Sequence, residues 1–237
     1  MKKRTEKIHK YNQKTSYNMA ISTYLSIINL NISGLNNPIK RYRVTDWMKK
    51  QDPSICCLQK THFRAEDTHK LIVRGWKKLF HVSGNDKKAG VAILISDKVD
   101  FKTKFIKEDK KGHYVVVKGS KQEGDITFIN IYAPNIGGPK YIRQILTDRK
   151  QEIDCNIIIV GDFNVPLTSM DRSSRQKMKN EKVVLNDILD KLDLIDIYRT
   201  FHSKTAEYTS STLLIIRVMQ VKTTIRYQPT PVRMTII

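Results

Sequence analysis

NIIIVGDFNVP, Asn156–Pro166, sets four β-branched residues, Ile157–Val160, against Gly161, Asp162, Phe163 and Asn164. A short β-branched run closed by a glycine predicts a buried strand that runs into a tight turn. Asp162 is then expected at a strand tip, with enough water to stay charged and enough low dielectric to act strongly. Asn164 projects to the same side if the backbone stays extended. An acid beside an amide suits orienting a water and donating to a phosphate oxygen. Taken alone, GDFN reads equally well as an ordinary turn, since Gly, Asp and Asn are common turn formers.

The remaining elements alternate around this strand. Tyr24–Asn31 (YLSIINLN), Ser54–Gln59 (SICCLQ), Gly90–Ser96 (GVAILIS), Tyr114–Lys118 and Asp125–Tyr132 have the composition of strands. Ile39–Gln51 carries Val44, Trp47 and Met48 on one side among Lys and Arg, as a surface helix would. Tyr141–Asp154 and the run Val184, Leu185, Ile188, Leu189, Leu192 predict two more helices. Strands outnumber helices and the two mix throughout, so the expected fold class is an α/β sandwich. Several strands end on capable polar groups: Asn31, Lys60–His62, Tyr132 with Asn135, and Asp162 with Asn164. Sharing one sheet edge would bring them into one cleft.

A chain of 237 residues with 40% apolar content can bury one substantial core. The net charge of +20, from 43 Lys and Arg against 23 Asp and Glu, favours a polyanionic partner, because each neutralised phosphate releases counterions. DNA leads as partner and RNA shares its chemistry, whereas a membrane partner is not expected. The three cysteines form no CxxC, which argues against zinc and a disulfide framework. The expectations are a soluble monomer of nucleus and cytoplasm. Residues 1–18 read as a disordered basic arm in which Glu6 is the single acid.

LNISGLN (Leu30–Asn36), QKTH (Gln59–His62), AGVAILIS (Ala89–Ser96), INIYAPN (Ile129–Asn135), VGDFN (Val160–Asn164), MDRSSRQ (Met170–Gln176) and LIDIYRTFH (Leu194–His202) resemble, in this order, the endonuclease domain of mammalian LINE retrotransposons. That domain is similar to abasic-site endonucleases and DNase I in the endonuclease/exonuclease/phosphatase superfamily. The resemblance covers Met19–Thr209. It implies a two-sheet, DNase I-like α/β sandwich that nicks DNA using Mg²⁺. Carried over by motif, Asn31 would help hold the metal, Asp162 would ready the water, and Asn164 and Tyr132 would hold the scissile phosphate. Asn135 would support the phosphate site, and Arg172 and Thr209 would meet the DNA.

Two departures stand against catalysis. The resembled pattern Q-E-T-H supplies a metal-binding glutamate where this chain has Lys60, and an ammonium has no lone pair for a metal. A Lys60–Asp162 pair filling the metal's place is one possibility; it would stabilise the fold without catalysing. After Thr209, the D-H-I and S-D-H motifs of the resembled domain have no counterpart, and no histidine here follows an aspartate. Residues 210–237 instead resemble, from Ile216, a far C-terminal segment of the same LINE protein. The fold is therefore expected to be incomplete at its C-terminal strands, with a poorly ordered tail and an open edge. Leu213–Ile216 as a substitute strand is the alternative. Three readings follow: an Mg²⁺-dependent endonuclease with impaired catalysis, a basic nucleic-acid-binding remnant, and a retrotransposon relic without a selected role.

Overall fold

The computed structural model describes residues 25–63, 65–84, 89–121, 124–149, 156–164, 187–196, 212–218 and 225–227. Its strands are β1 (Leu25–Asn31), β2 (Ile55–Gln59), β3 (Lys78–Val82), β4 (Val91–Ile95), β5 (Phe101–Glu108), β6 (Tyr114–Lys121), β7 (Gly124–Tyr132), β8 (Asn156–Asp162), β9 (Ile195–Asp196), β10 (Thr212–Val218) and β11 (Ile225–Tyr227). Helix α1 is Pro38–Gln51 and α2 is Gly138–Asp148. The strands form two mixed sheets, ordered β11-β1-β2-β4-β3 and β5-β6-β7-β8-β10-β9. This is the expected two-sheet α/β sandwich.

Side-chain alternation builds the layers. Ile27, Ile55, Cys57, Ile93, Val115, Val117, Phe128, Ile158 and Val160 meet between the sheets. Ile28, Cys56, Leu58 and Leu94 point the other way, onto Val44 and Met48 of α1. Ile129, Ile131, Ile157 and Ile159 pack outward against Ile142, Ile145 and Leu146 of α2 and against Ile188–Leu194. Consecutive strand residues thus serve different layers, which explains uninterrupted apolar runs such as ICCL and IIIV. Cys56 and Cys57 are filler on opposite faces of one strand, and burial pushes both thiols up, away from reactivity.

Helix α1 begins where Asn37 Oδ1 accepts from the amides of Ile39 and Lys40, with Pro38 in the first turn. It ends at Asp52, which is left-handed at φ 48°. Helix α2 starts at Gly138 rather than Tyr141, because Gly137 takes φ 76° and Pro139 fits the first turn. The expected helix end at Asp154 and the basic arm lie outside the described residues.

The sequence gives little sign of several strands, β3 and β5 among them. β5 buries Phe101 and leaves Lys102–Glu108 exposed, so it has no apolar period to detect; it is a charged edge strand. β3 is half-buried along Lys78–Phe80 and His81, with only Val82 buried. The stretch expected to lie outside the sandwich also contributes strands. β10 pairs antiparallel with β8 from Thr212↔Asp162 to Val218↔Asn156, and β11 pairs in parallel with β1. Covering the outer edge of β8 satisfies a row of backbone groups that would otherwise stand unpaired. No helix among the described residues is long and apolar enough to cross a membrane.

Candidate strand-tip site

β1 and β2 run in parallel in one sheet, β7 and β8 in parallel in the other, with Asn31 opposite Gln59 and Tyr132 opposite Asp162. All four strands therefore deliver their C-terminal ends to one edge. There Asn31 Nδ2 donates to Asp162 Oδ2 at 2.5 Å, closing the gap between sheets across 131 residues of sequence. Lys60 Nζ lies 3.6 Å from the same oxygen, and the Asn164 amide donates to Asp162 Oδ1 at 3.2 Å. Asn164 Nδ2 donates to Ala133 O at 2.6 Å. Asn31, Lys60, Tyr132, Asp162 and Asn164 thus come together as the strand ends imply. Asn135 lies exposed on the bend between β7 and α2, and Arg172 and Thr209 fall outside the described residues.

The chain holds this edge with polar bonds beneath it. Asn130 of β7 donates to Leu58 O at 3.0 Å and Ala92 O at 2.9 Å in the opposite sheet. Gln59 Nε2 donates to Asn130 Oδ1 and Asn29 Oδ1, both at 2.6 Å, and Asn29 Nδ2 donates to Gly161 O at 3.3 Å. Amides buried between two sheets fix one relative placement, because any slip would leave polar groups unsatisfied.

Lys60 sits in a left-handed conformation, φ 55°, as do His62 at 58° and Asn164 at 52°. Such residues cost about 1–2 kcal/mol each and persist where the surroundings over-determine them. The surroundings here are backbone bonds: Gly34 to Lys60 O at 2.6 Å, Leu35 to Thr61 O at 2.9 Å, Thr61 to Gly90 O at 3.1 Å and His62 to Ala89 O at 3.0 Å. The Lys60 ammonium lies 5.0 Å from the Tyr132 ring centre, a cation–π contact. Burial, and secondarily the Asp162 charge, push the Tyr132 hydroxyl up, so it stays a proton donor at neutral pH.

Nothing in KKGHYVV marks a role for His113. Its ring stacks on Tyr132 with centres 5.8 Å apart, and its Nδ1 lies 3.0 Å from Tyr132 O. The sequence marks no role for His81 either. Its Nε2 lies 2.9 Å from the Thr61 hydroxyl, and burial pushes it down to about 4. The folded state therefore binds this proton more weakly than the unfolded chain, whose histidine titrates near 6.5. His81 contributes stability that is present above about pH 6.5 and lost as pH falls toward 4, up to about 3 kcal/mol. Urea denaturation of the native chain and His81→Gln across this window checks it: the native slope is expected to flatten in the variant.

Asp162 offers a carboxylate and Asn31 Oδ1 is a buried acceptor without a hydrogen-bond partner, so two oxygens are present that Mg²⁺ accepts. Lys60 decides against it. A divalent ion on Asp162 would sit roughly 4 Å from the ammonium, a repulsion on the order of 8 kcal/mol at an effective dielectric of about 20. Among the described residues no three His, Cys, Asp or Glu gather around one point. With Lys60 in this place, the donor set among the described residues does not fit Mg²⁺.

The structure is similar to the AP endonuclease LMAP from Leishmania major, with TM-score 0.66 and 13% identity over 81% of this chain and 78% of that one. It is similar to the Xenopus laevis APE2 catalytic domain at 0.64 and 16%, covering 81% and 82%. An AP endonuclease from Archaeoglobus fulgidus follows at 0.58 and 21%, covering 81% and 86%. These likenesses show the fold. In sequence the chain is 27% identical over 191 residues to the transposon TX1 uncharacterized 149 kDa protein of Xenopus laevis, covering 78% of this chain and 14% of that protein's length. Residues 28–217 match the family model described as Endonuclease/Exonuclease/phosphatase family, a span that begins in β1 and closes in β10, and the chain belongs to that family.

Proposed function

We propose that this nuclease-family chain engages the phosphate backbone of DNA at the strand-tip edge and does not hydrolyse it with a divalent ion. The observation that supports this reading is the Lys60 ammonium 3.6 Å from Asp162 Oδ2. Hydrolysing a phosphodiester with a metal needs an ion to offset phosphate charge and ready the water. A fixed ammonium supplies charge without coordination sites. The Asn164 amide donates to Asp162 at the same edge as Tyr132, and the net charge of +20 favours the polyanion.

Mg²⁺-dependent nicking is the competing reading, favoured by the unpartnered Asn31 Oδ1. A supercoiled-plasmid assay separates the two. The expected result is duplex binding that weakens steeply as salt rises, with no nicking in Mg²⁺. Nicking that disappears in Asp162→Ala would establish the enzyme instead, and a flat salt response would remove phosphate-driven binding.

A further inference from the structure

We propose that Lys60 is itself the phosphate-binding cation of this edge, so that a phosphodiester is held there without any metal ion. The proposal rests on the metal-free reading above and names the group that recognises the strand.

The placement of the side chain supports it. Lys60 is held in its left-handed conformation by bonds from the loops at Gly34 and Gly90, and its side chain is only 24% exposed. It lies between the Tyr132 ring and the Asp162 carboxylate, whereas Lys98 and Lys104, at 73% and 52%, sit in open solvent. Asp162 already accepts from Asn31 Nδ2 and from the Asn164 amide. The contact with Lys60, at 3.6 Å, is longer than a hydrogen bond, so the ammonium keeps N–H donors for an incoming oxygen.

Charge counting points the same way. A carboxylate at position 60 carrying a divalent ion would bring −1 and +2, a net +1, and the ammonium brings +1. A phosphate arriving at the edge meets the same added charge in either case. What is lost is the coordination geometry, not the electrostatic attraction. The Tyr132 ring, whose centre lies 5.0 Å from the ammonium, carries a hydroxyl that can also donate to a phosphate oxygen.

A labelled duplex titrated with the full chain in EDTA, at several salt concentrations and read by fluorescence anisotropy, tests this. The native chain is expected to bind without metal and to gain nothing from Mg²⁺. Lys60→Met is expected to weaken binding roughly five- to tenfold and to lower the salt slope by about one. Lys102→Met is the control, since Lys102 pairs with Ser120 at the end of the sheet far from Tyr132; less than a twofold change is expected. If Lys60→Met fails to fold because Asp162 loses its counter-charge, Lys60→Met with Asp162→Asn, read against Asp162→Asn alone, carries the same comparison. Inorganic phosphate displacing duplex from the native chain better than chloride at equal ionic strength would support free phosphate as a ligand of the same ammonium. Displacement no better than chloride supports the strand. Unchanged affinity and salt slope in Lys60→Met would overturn the proposal while leaving DNA binding by the wider basic surface intact. Absence of salt-sensitive binding by the native chain would instead remove the function proposed above.

Discussion

Gly161→Ala is expected to lower stability by on the order of 4 kcal/mol or more, enough to leave little folded protein. A Cβ at Gly161 would stand 1.9 Å from Ile131 O, 2.8 Å from Ile131 C and 2.9 Å from Ile131 N. These are backbone atoms of a fully buried residue in β7, which pairs with Gly161 in the parallel ladder. No rotamer change relieves the clash, so β7 and β8 must part next to Asp162. Gly161 also takes φ 153°, a conformation that side-chain-bearing residues avoid. Gly75→Ala is the matched comparison. Its φ is 94°, but a Cβ there meets nothing within 4 Å, so the loss should stay near the ~1–2 kcal/mol of an unfavourable backbone conformation. Urea denaturation followed by circular dichroism reads both. A loss below about 1 kcal/mol for Gly161→Ala would mean that the strands are not this close.

Lys60→Glu is expected to make the protein's stability depend on Mg²⁺. In EDTA the new carboxylate faces Asp162, which is 2% exposed, and the two like charges should lower stability by about 1–3 kcal/mol. With Mg²⁺ at about one hundred times its dissociation constant, linkage returns about 2.7 kcal/mol, a melting shift of roughly 5–10 °C in a chain of this size. The native chain is expected to show no such shift. Thermal melts of both proteins in EDTA and in Mg²⁺ decide it. Stabilisation of the native chain by Mg²⁺ would show that Lys60 swings clear of Asp162 and that the metal is accepted after all.

The strands differ in how plainly the residues mark them. The runs SICCLQ, GVAILIS and NIIIVGD announced β2, β4 and β8, because strands buried on both faces read as near-continuous apolar runs. β5 gave no such signal, since an edge strand exposed over Lys102–Glu108 needs no apolar period. The site was legible as strand ends at Asn31, Lys60, Tyr132, Asp162 and Asn164. The amides below it were not: Asn29, Gln59 and Asn130 look like ordinary polar residues until two sheets close over them. His113 and His81 were invisible for the same reason, their roles being set by Tyr132 and Thr61, neighbours in space and not in sequence.

By itself the sequence determined that the apolar runs form buried strands, that strands and helices stack in layers, and that a lysine occupies position 60, because local pattern and residue chemistry are properties of neighbouring residues. Only the tertiary structure decided that the Asn31 amide and the Lys60 ammonium converge on one carboxylate, that Thr212–Val218 covers β8, and that Gly161 can bear no side chain. Those outcomes depend on how two sheets and distant strands come to rest against one another, and burial, backbone pairing and close packing act between residues that the chain order keeps far apart.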